Sequence, residues 1–206
     1  MLSKLRAKIR DNKGKKNEYA QWALRSYAGP SPSDIKRAVL MRYASPDTVW
    51  VETGTFMGDT AALLAQQSKQ VHTIEPEPTL FQRAHARFVG NPKINVIKGL
   101  SESIFPQLLP QLSGKLSFWL DGHYSGGITH QGPTDCPVQE ELRSIQENKH
   151  RFDHLTVMID DIRCFDPRIP EYSDYPPLDE LVDWARTNRL TWHIEHDIFI
   201  AQSVKD

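Results

Sequence analysis

From Val49 onward, apolar residues come in short runs, each followed by a polar or glycine-rich turn and then by apolar positions at helical spacing. The runs predict strands at Val49–Thr53, Val71–Glu75, Ile94–Lys98, Leu116–Leu120 and Leu155–Ile159. The intervening three-to-four-residue spacing predicts helices over Asp59–Gln67, Thr79–Val89, Ser101–Leu112, Pro137–Asn148 and Leu178–Thr187. Strand and helix alternating in this way imply right-handed crossovers onto a parallel sheet. The rhythm changes at Thr191–Glu195 and Ile198–Gln202, which flank only His196-Asp197. That gap is too short for a helical crossover, so the pair predicts an antiparallel hairpin. The expected fold is α/β: a Rossmann-like doubly wound sheet, mostly parallel, ending in an antiparallel hairpin.

Upstream lies a helical preface. Asn17–Tyr27 carries an apolar stripe of Tyr19, Trp22, Ala23 and Tyr27, and Gly29-Pro-Ser-Pro32 breaks it. Ser33 is then a candidate cap for a second helix through Ile35, Ala38, Val39 and Met41, ending before Pro46. The chain thus divides into an N-terminal extension, residues 1–45, and a Rossmann-like body, residues 46–206. The aromatic face of the extension has three readings: packing on its own domain, covering a cofactor, or forming a homodimer seam. Met1–Lys16 is basic without an apolar centre, which reads as a solvated leader rather than a secretory signal.

Composition narrows the partners. A length of 206 residues suits one domain, and a net charge of -1 gives no bulk attraction to nucleic acid or an anionic membrane. No apolar run approaches the roughly 18 residues of a membrane span. Cys136 and Cys164 are the only cysteines, too few for a disulfide framework, so a reducing cytoplasm is the expected setting.

The candidate chemistry gathers at strand ends. Val49-Trp-Val-Glu-Thr-Gly-Thr-Phe-Met-Gly-Asp-Thr60 reads as a buried strand, a glycine turn and a helix start. Gly54 permits the tight turn, Gly58 lets the helix begin close to whatever lies over it, and Glu52 supplies a carboxylate. Together these make a nucleoside-binding corner. In a parallel sheet all carboxyl ends open onto one crevice. Asp121 and the pair Asp160–Asp161 are therefore expected to converge beside that corner. Three carboxylates in one volume repel unless a cation or protons intervene, and oxygen-only ligands favour Mg²⁺.

From about Pro46 onward, the chain resembles the class I S-adenosylmethionine-dependent methyltransferases. The resemblance implies that Glu52, Gly54, Thr55 and Gly58 hold S-adenosylmethionine, and that Glu75 binds its ribose hydroxyls. It also implies that the Gly99-Leu-Ser-Glu102 turn, with Ser101, lies near adenine. The middle glycine of the family pattern is replaced here by Phe56. Within that class, the strand-end acids are similar to those of the metal-dependent O-methyltransferases, nearest to the macrocin type and more distantly to the catechol type. That likeness implies a metal held by Asp121, Asp160 and Asp161. Asp121 also borders the cofactor and the reacting groups, and His123 is the candidate general base, with Tyr124, His130 and Asp135 as alternatives on the same loop. The implied acceptor is a small sugar-like or phenolic hydroxyl compound. Two loops are expected to shape its pocket: Gly122–Pro137, and Arg163–Pro177 with Arg163, Arg168, Tyr172 and Tyr175. The competing readings are a nicotinamide-dependent oxidoreductase, which would want Gly-x-Gly-x-x-Gly where this chain has Gly54-x-x-x-Gly58, and a non-catalytic cofactor-binding scaffold.

Overall fold

The computed structural model describes residue 14, residues 16–122 and residues 136–204. The sheet has seven strands: β1 (Thr48–Thr53), β2 (Gln70–Glu75), β3 (Ile94–Lys98), β4 (Gly114–Leu120), β5 (Phe152–Ile159), β6 (Leu190–Glu195) and β7 (Ile198–Ser203). Their order is β3-β2-β1-β4-β5-β7-β6. The pairs from β3 to β5 are parallel, whereas β7 is antiparallel to both β5 and β6. The expected mostly parallel sheet with a terminal hairpin is what forms. The hairpin is placed so that β7 lies inside the sheet and β6 at its edge.

Among the described residues, seven α-helices accompany it: α1 (residues 16–24), α2 (Ser33–Met41), α3 (Asp59–Gln67), α4 (Pro78–Phe88), α5 (Ser101–Leu108), α6 (Val138–Asn148) and α7 (Leu178–Thr187). Alternation along the central strands feeds two apolar layers, because successive side chains leave opposite faces of a sheet. Val49 and Val51 of β1 join Phe118, Leu120, Val157 and Ile159 beneath α5, α6 and α7. Trp50 points the other way, joining Val71, Trp119 and Met158 beneath α2, α3 and α4. Every residue of β1 is buried, as expected for a central strand covered on both faces. The helix predicted to run to Leu112 instead stops at Leu108 and tightens into a 3-10 turn, Leu109–Gln111. Pro110 within that turn has no N–H to continue the α-helical ladder.

The extension folds differently in detail from its sequence expectation. α1 ends at residue 24, before the Gly-Pro segment, because Ser26 and Tyr27 turn left-handed and the Tyr27 N–H bonds back to the Trp22 carbonyl at 3.0 Å. Of the expected stripe, Trp22 alone is buried, edge-on to His196 in the β6–β7 turn at 5.9 Å. Ser33 does not cap α2. The Ser33 N–H and Oγ both donate to Glu18 Oε1 at 3.2 Å, so α1 caps α2 across space. Tyr19 Oη adds a bond to Asp34 Oδ1 at 3.1 Å. Ser31 Oγ donates to the His196 carbonyl at 3.2 Å, fastening the connecting segment to the hairpin.

Among the described residues, no helix is long and apolar enough to cross a membrane. Cys136 and Cys164 are buried free thiols. The inter-helix cap gives a direct test by thermal denaturation. Glu18→Ala is expected to cost about 1 kcal/mol, as lost N-caps do. Ser33→Ala, which keeps the backbone bond, is expected to cost less.

Candidate functional site

The site begins where β1 and β4 part. The Asp121 N–H still bonds the Thr53 carbonyl at 3.3 Å, and the next step of β1 is Gly54 at φ 82°. A Cβ on Gly54 would stand 2.4 Å from the Asp121 carbonyl oxygen. Both the left-handed conformation and the close approach exclude a side chain there. The turn is pinned on its other side as well: the Gly54 N–H donates to the Ile74 carbonyl at 3.0 Å. Phe56, where the class I methyltransferase pattern has a glycine, has a positive φ of 47°. Its N–H donates to Glu75 Oε2 at 2.8 Å, and the Glu77 N–H donates to Oε1 at 3.1 Å. Glu75 is thus a buried carboxylate clamped to the turn by two backbone donors. Gly58, also left-handed, precedes α3, and the space of its missing Cβ is taken by the Phe88 ring at 2.6 Å. The structure accounts for Gly58 by helix packing.

Glu52 corrects one expectation. Alternation places it on the same face as Trp50, so its carboxylate is buried under the helices and does not wall the crevice. Thr73 Oγ1 donates to Glu52 Oε2 at 2.6 Å, and Thr73 in turn shares a 2.6 Å bond with Thr55. Burial pushes the Glu52 carboxyl up to about 8, against the Thr73 bond and the field of Arg37. At neutral pH it is protonated.

The crevice itself is a cavity of 820 Å³ between the extension and the carboxyl ends of the strands. One wall holds Gly54, Thr55, Phe56, Trp119 and Asp121; the opposite wall holds Glu18, Arg25, Lys36, Arg37 and Leu40 from α1, α2 and their connection. Asp160 and Asp161 close its floor, as the sheet topology demands. Their neutralising cations come from the chain. Lys36 Nζ lies 2.6 Å from Asp160 Oδ1 and 2.7 Å from Asp161 Oδ1. Arg163 Nη1 lies 2.6 Å from Asp161 Oδ1 and also pairs with Asp197 of the β6–β7 turn. Asp160 Oδ1 further accepts the Asp161 N–H at 2.8 Å, holding the left-handed turn at Asp161. Burial, opposed by Lys36, pushes the Asp160 carboxyl above the usual carboxylate range. Burial alone would depress the Lys36 ammonium, but the two carboxylates outweigh it and hold it above its ordinary range. Among the described residues, no group of three or more His, Cys, Asp and Glu is arranged to hold a metal ion.

Several expected residues lie elsewhere. Tyr175 is buried edge-on against Phe165 and Tyr172, at 5.2 and 5.4 Å, in the layer beneath α6 and α7. Arg168 is exposed and paired with Asp166 at 2.7 Å. Of the Arg163–Pro177 loop, only Arg163 reaches the cavity. Ser101 is the buried first residue of α5 and is not part of the cavity wall. His123, Tyr124, His130 and Asp135 lie outside the described residues. The sequence reading missed Lys36. Its signal was its place three and four residues before the buried Val39 and Leu40, which puts a cation on the inward stripe of α2.

No protein-family profile matches the chain, and no curated protein matches it in sequence. Solved structures do resemble it. A protein from Staphylococcus aureus assigned provisionally to the caffeoyl-CoA O-methyltransferases aligns over 98% of this chain and 98% of its own, with TM-score 0.55 and 12% identity. The N-methyltransferase NodS from Bradyrhizobium japonicum WM9 aligns over 82% of this chain and 93% of its own, with TM-score 0.52 and 14% identity. Aeropyrum pernix fibrillarin, solved with natively bound S-adenosyl-L-methionine, aligns over 83% and 74%, with TM-score 0.51 and 12% identity. These likenesses establish a Rossmann-like methyltransferase fold.

Two predictions follow from the turn and from Glu52. Gly54→Ala and Gly90→Ala both place a side chain in left-handed backbone, at φ 82° and 83°, but nothing lies within 4 Å of a Cβ at Gly90. In urea denaturation, Gly90→Ala is expected to lose about 1 kcal/mol, and Gly54→Ala at least twice as much. For Glu52, the folded state holds its proton longer than the unfolded chain does. Stability therefore falls as pH rises from about 4.5 to about 8, at up to about 1.4 kcal/mol per pH unit. Glu52→Gln removes that titration, so its melting temperature relative to the unsubstituted protein is expected to climb across this window. A difference independent of pH would show that Glu52 is ionised when folded.

Proposed function

We propose that this protein is an S-adenosylmethionine-dependent methyltransferase acting on a hydroxyl of a small, sugar-like or phenolic acceptor. The observation that carries the reading is the strained turn Gly54–Phe56, clamped to Glu75 at the fork of β1 and β4 and opening onto a large cavity. A volume of 820 Å³ is in the range of small-molecule sites. The donor set fits the cofactor. Glu75 braces the turn through two backbone N–H groups, and a carboxylate at the end of the second strand is the kind of acceptor that ribose hydroxyls suit. Gly54 presents backbone without bulk, and Thr55 and Asp121 border the same space.

When bound, the cofactor supplies an electrophilic methyl group on a sulfonium. The chain supplies placement. Glu75 fixes the ribose end, while α1 and α2 cover the crevice and limit the water reaching the acceptor. The lining mixes carboxylates with Arg25, Lys36, Arg37 and Arg163, which suits a polyhydroxylated compound better than an apolar one. His123 remains the candidate base for the acceptor proton, on chemistry alone: an imidazole titrates where a hydroxyl proton needs a partner. A divalent ion does not fit the arrangement, because Oδ1 of both Asp160 and Asp161 already holds Lys36, and no step is assigned to one. The buried free thiols support a reducing, cytoplasmic setting.

Calorimetric titration with S-adenosylhomocysteine tests the reading. Micromolar binding is expected, weakened at least tenfold by Glu75→Ala, the scale of a lost charge-assisted bond. Binding of NADH in its place would move the protein to the nicotinamide enzymes.

A further inference from the structure

The floor of the cavity holds two adjacent carboxylates at the ends of a parallel sheet, a place that electrostatics reserves for a cation. In this chain the cation is covalent. Lys36 bridges Asp160 and Asp161 at 2.6 and 2.7 Å with 13% of its side chain exposed, and Asp160 beneath it is 7% exposed. Arg163 adds a second positive group on Asp161 and carries the network to Asp197. The lysine is delivered by a helix fixed at both ends: Glu18 caps its start, and Val39 and Leu40 bury its next turn.

We propose that Lys36 is the resident cation of this crevice, holding Asp160 and Asp161 as a neutralised platform that receives an acceptor oxygen without a divalent ion. An ammonium has three N–H donors, and the two carboxylates take two of them. The third is what an acceptor hydroxyl meets, so Lys36 orients the acceptor while the carboxylates orient Lys36. It is a positioning residue. The identity of the acceptor rests on the methyl-transfer reading; the claim that lysine excludes a metal does not.

The test is Mn²⁺ titration followed by electron paramagnetic resonance, with Mn²⁺ as the probe for an oxygen-ligand site. The unsubstituted protein is expected to bind Mn²⁺ at least tenfold more weakly than Lys36→Gln. The site gained in Lys36→Gln is expected to vanish when Asp160→Asn is added. Lys36→Arg, which restores a cation, is expected to stay as weak as the parent, and a merely structural lysine would not produce that rescue. Micromolar binding of one Mn²⁺ by the unsubstituted protein, lost in Asp160→Asn, would overturn the proposal without recourse to any Lys36 variant. Equal Mn²⁺ affinity with and without Lys36 would overturn it too. S-adenosylhomocysteine titrated into the same samples reads the cofactor separately. Its failure to bind, with the Mn²⁺ pattern intact, would remove methyl transfer and leave the role of Lys36 standing.

Discussion

The arrangement of this protein around its crevice depends on one desolvated ammonium between two carboxylates. Asp160 and Asp161 are brought to the floor by β5 and cannot both stay ionised there alone. Lys36 of α2 and Arg163 of the following turn meet that need. Arg163 extends the network to Asp197, so the end of β5, the β6–β7 turn and the extension are held in one charge system. Pairs of this kind are costly to leave half-made: removing one partner of a buried pair typically costs about 3–5 kcal/mol. The extension is therefore part of the site, contributing a wall and the cation of the floor.

A second constraint is the backbone of the turn that follows β1. Phe56 holds a left-handed conformation usually left to glycine, and the bond from its N–H to Glu75 helps keep it there. The same bond aims Glu75. What looks in the sequence like a defect in the glycine pattern is, in three dimensions, a left-handed residue that carries a side chain. Half of Phe56 is exposed on the cavity wall, where it adds an aromatic surface that a glycine would not.

The body was legible in the sequence because its signals are local. Apolar runs fixed β1 to β5 to within three residues, and the two-residue gap at His196-Asp197 required the hairpin. Strand ends in a parallel sheet face one side, so Asp121, Asp160 and Asp161 were placed correctly without any contact being known. What the sequence hid was orientation and long-range partnership. Glu52 looked like a crevice acid until alternation along β1 turned it inward. Gly58 looked like a ligand-facing glycine, but Phe88, thirty residues on, explains it. Lys36 lies more than 120 residues from its carboxylates, and no pattern on α2 announces what it meets. Tyr172 and Tyr175 carried the composition of a sugar site but served the core.

The place of β7 has a consequence for synthesis. It follows every other strand in the chain yet lies between β5 and β6, with Ile198, Phe199, Ile200 and Ala201 fully buried. A ribosome delivers residues in order, so α1, α2, β1 and β4 all emerge before the strand that completes the sheet. Asp197, which anchors Arg163, emerges at the same late moment. A nascent chain stopped short of β7 leaves the backbone edge of β5 unpaired and lacks the anchor for its charge network. The strand that completes the sheet and the residue that anchors Arg163 are therefore synthesised after every side chain that lines the crevice.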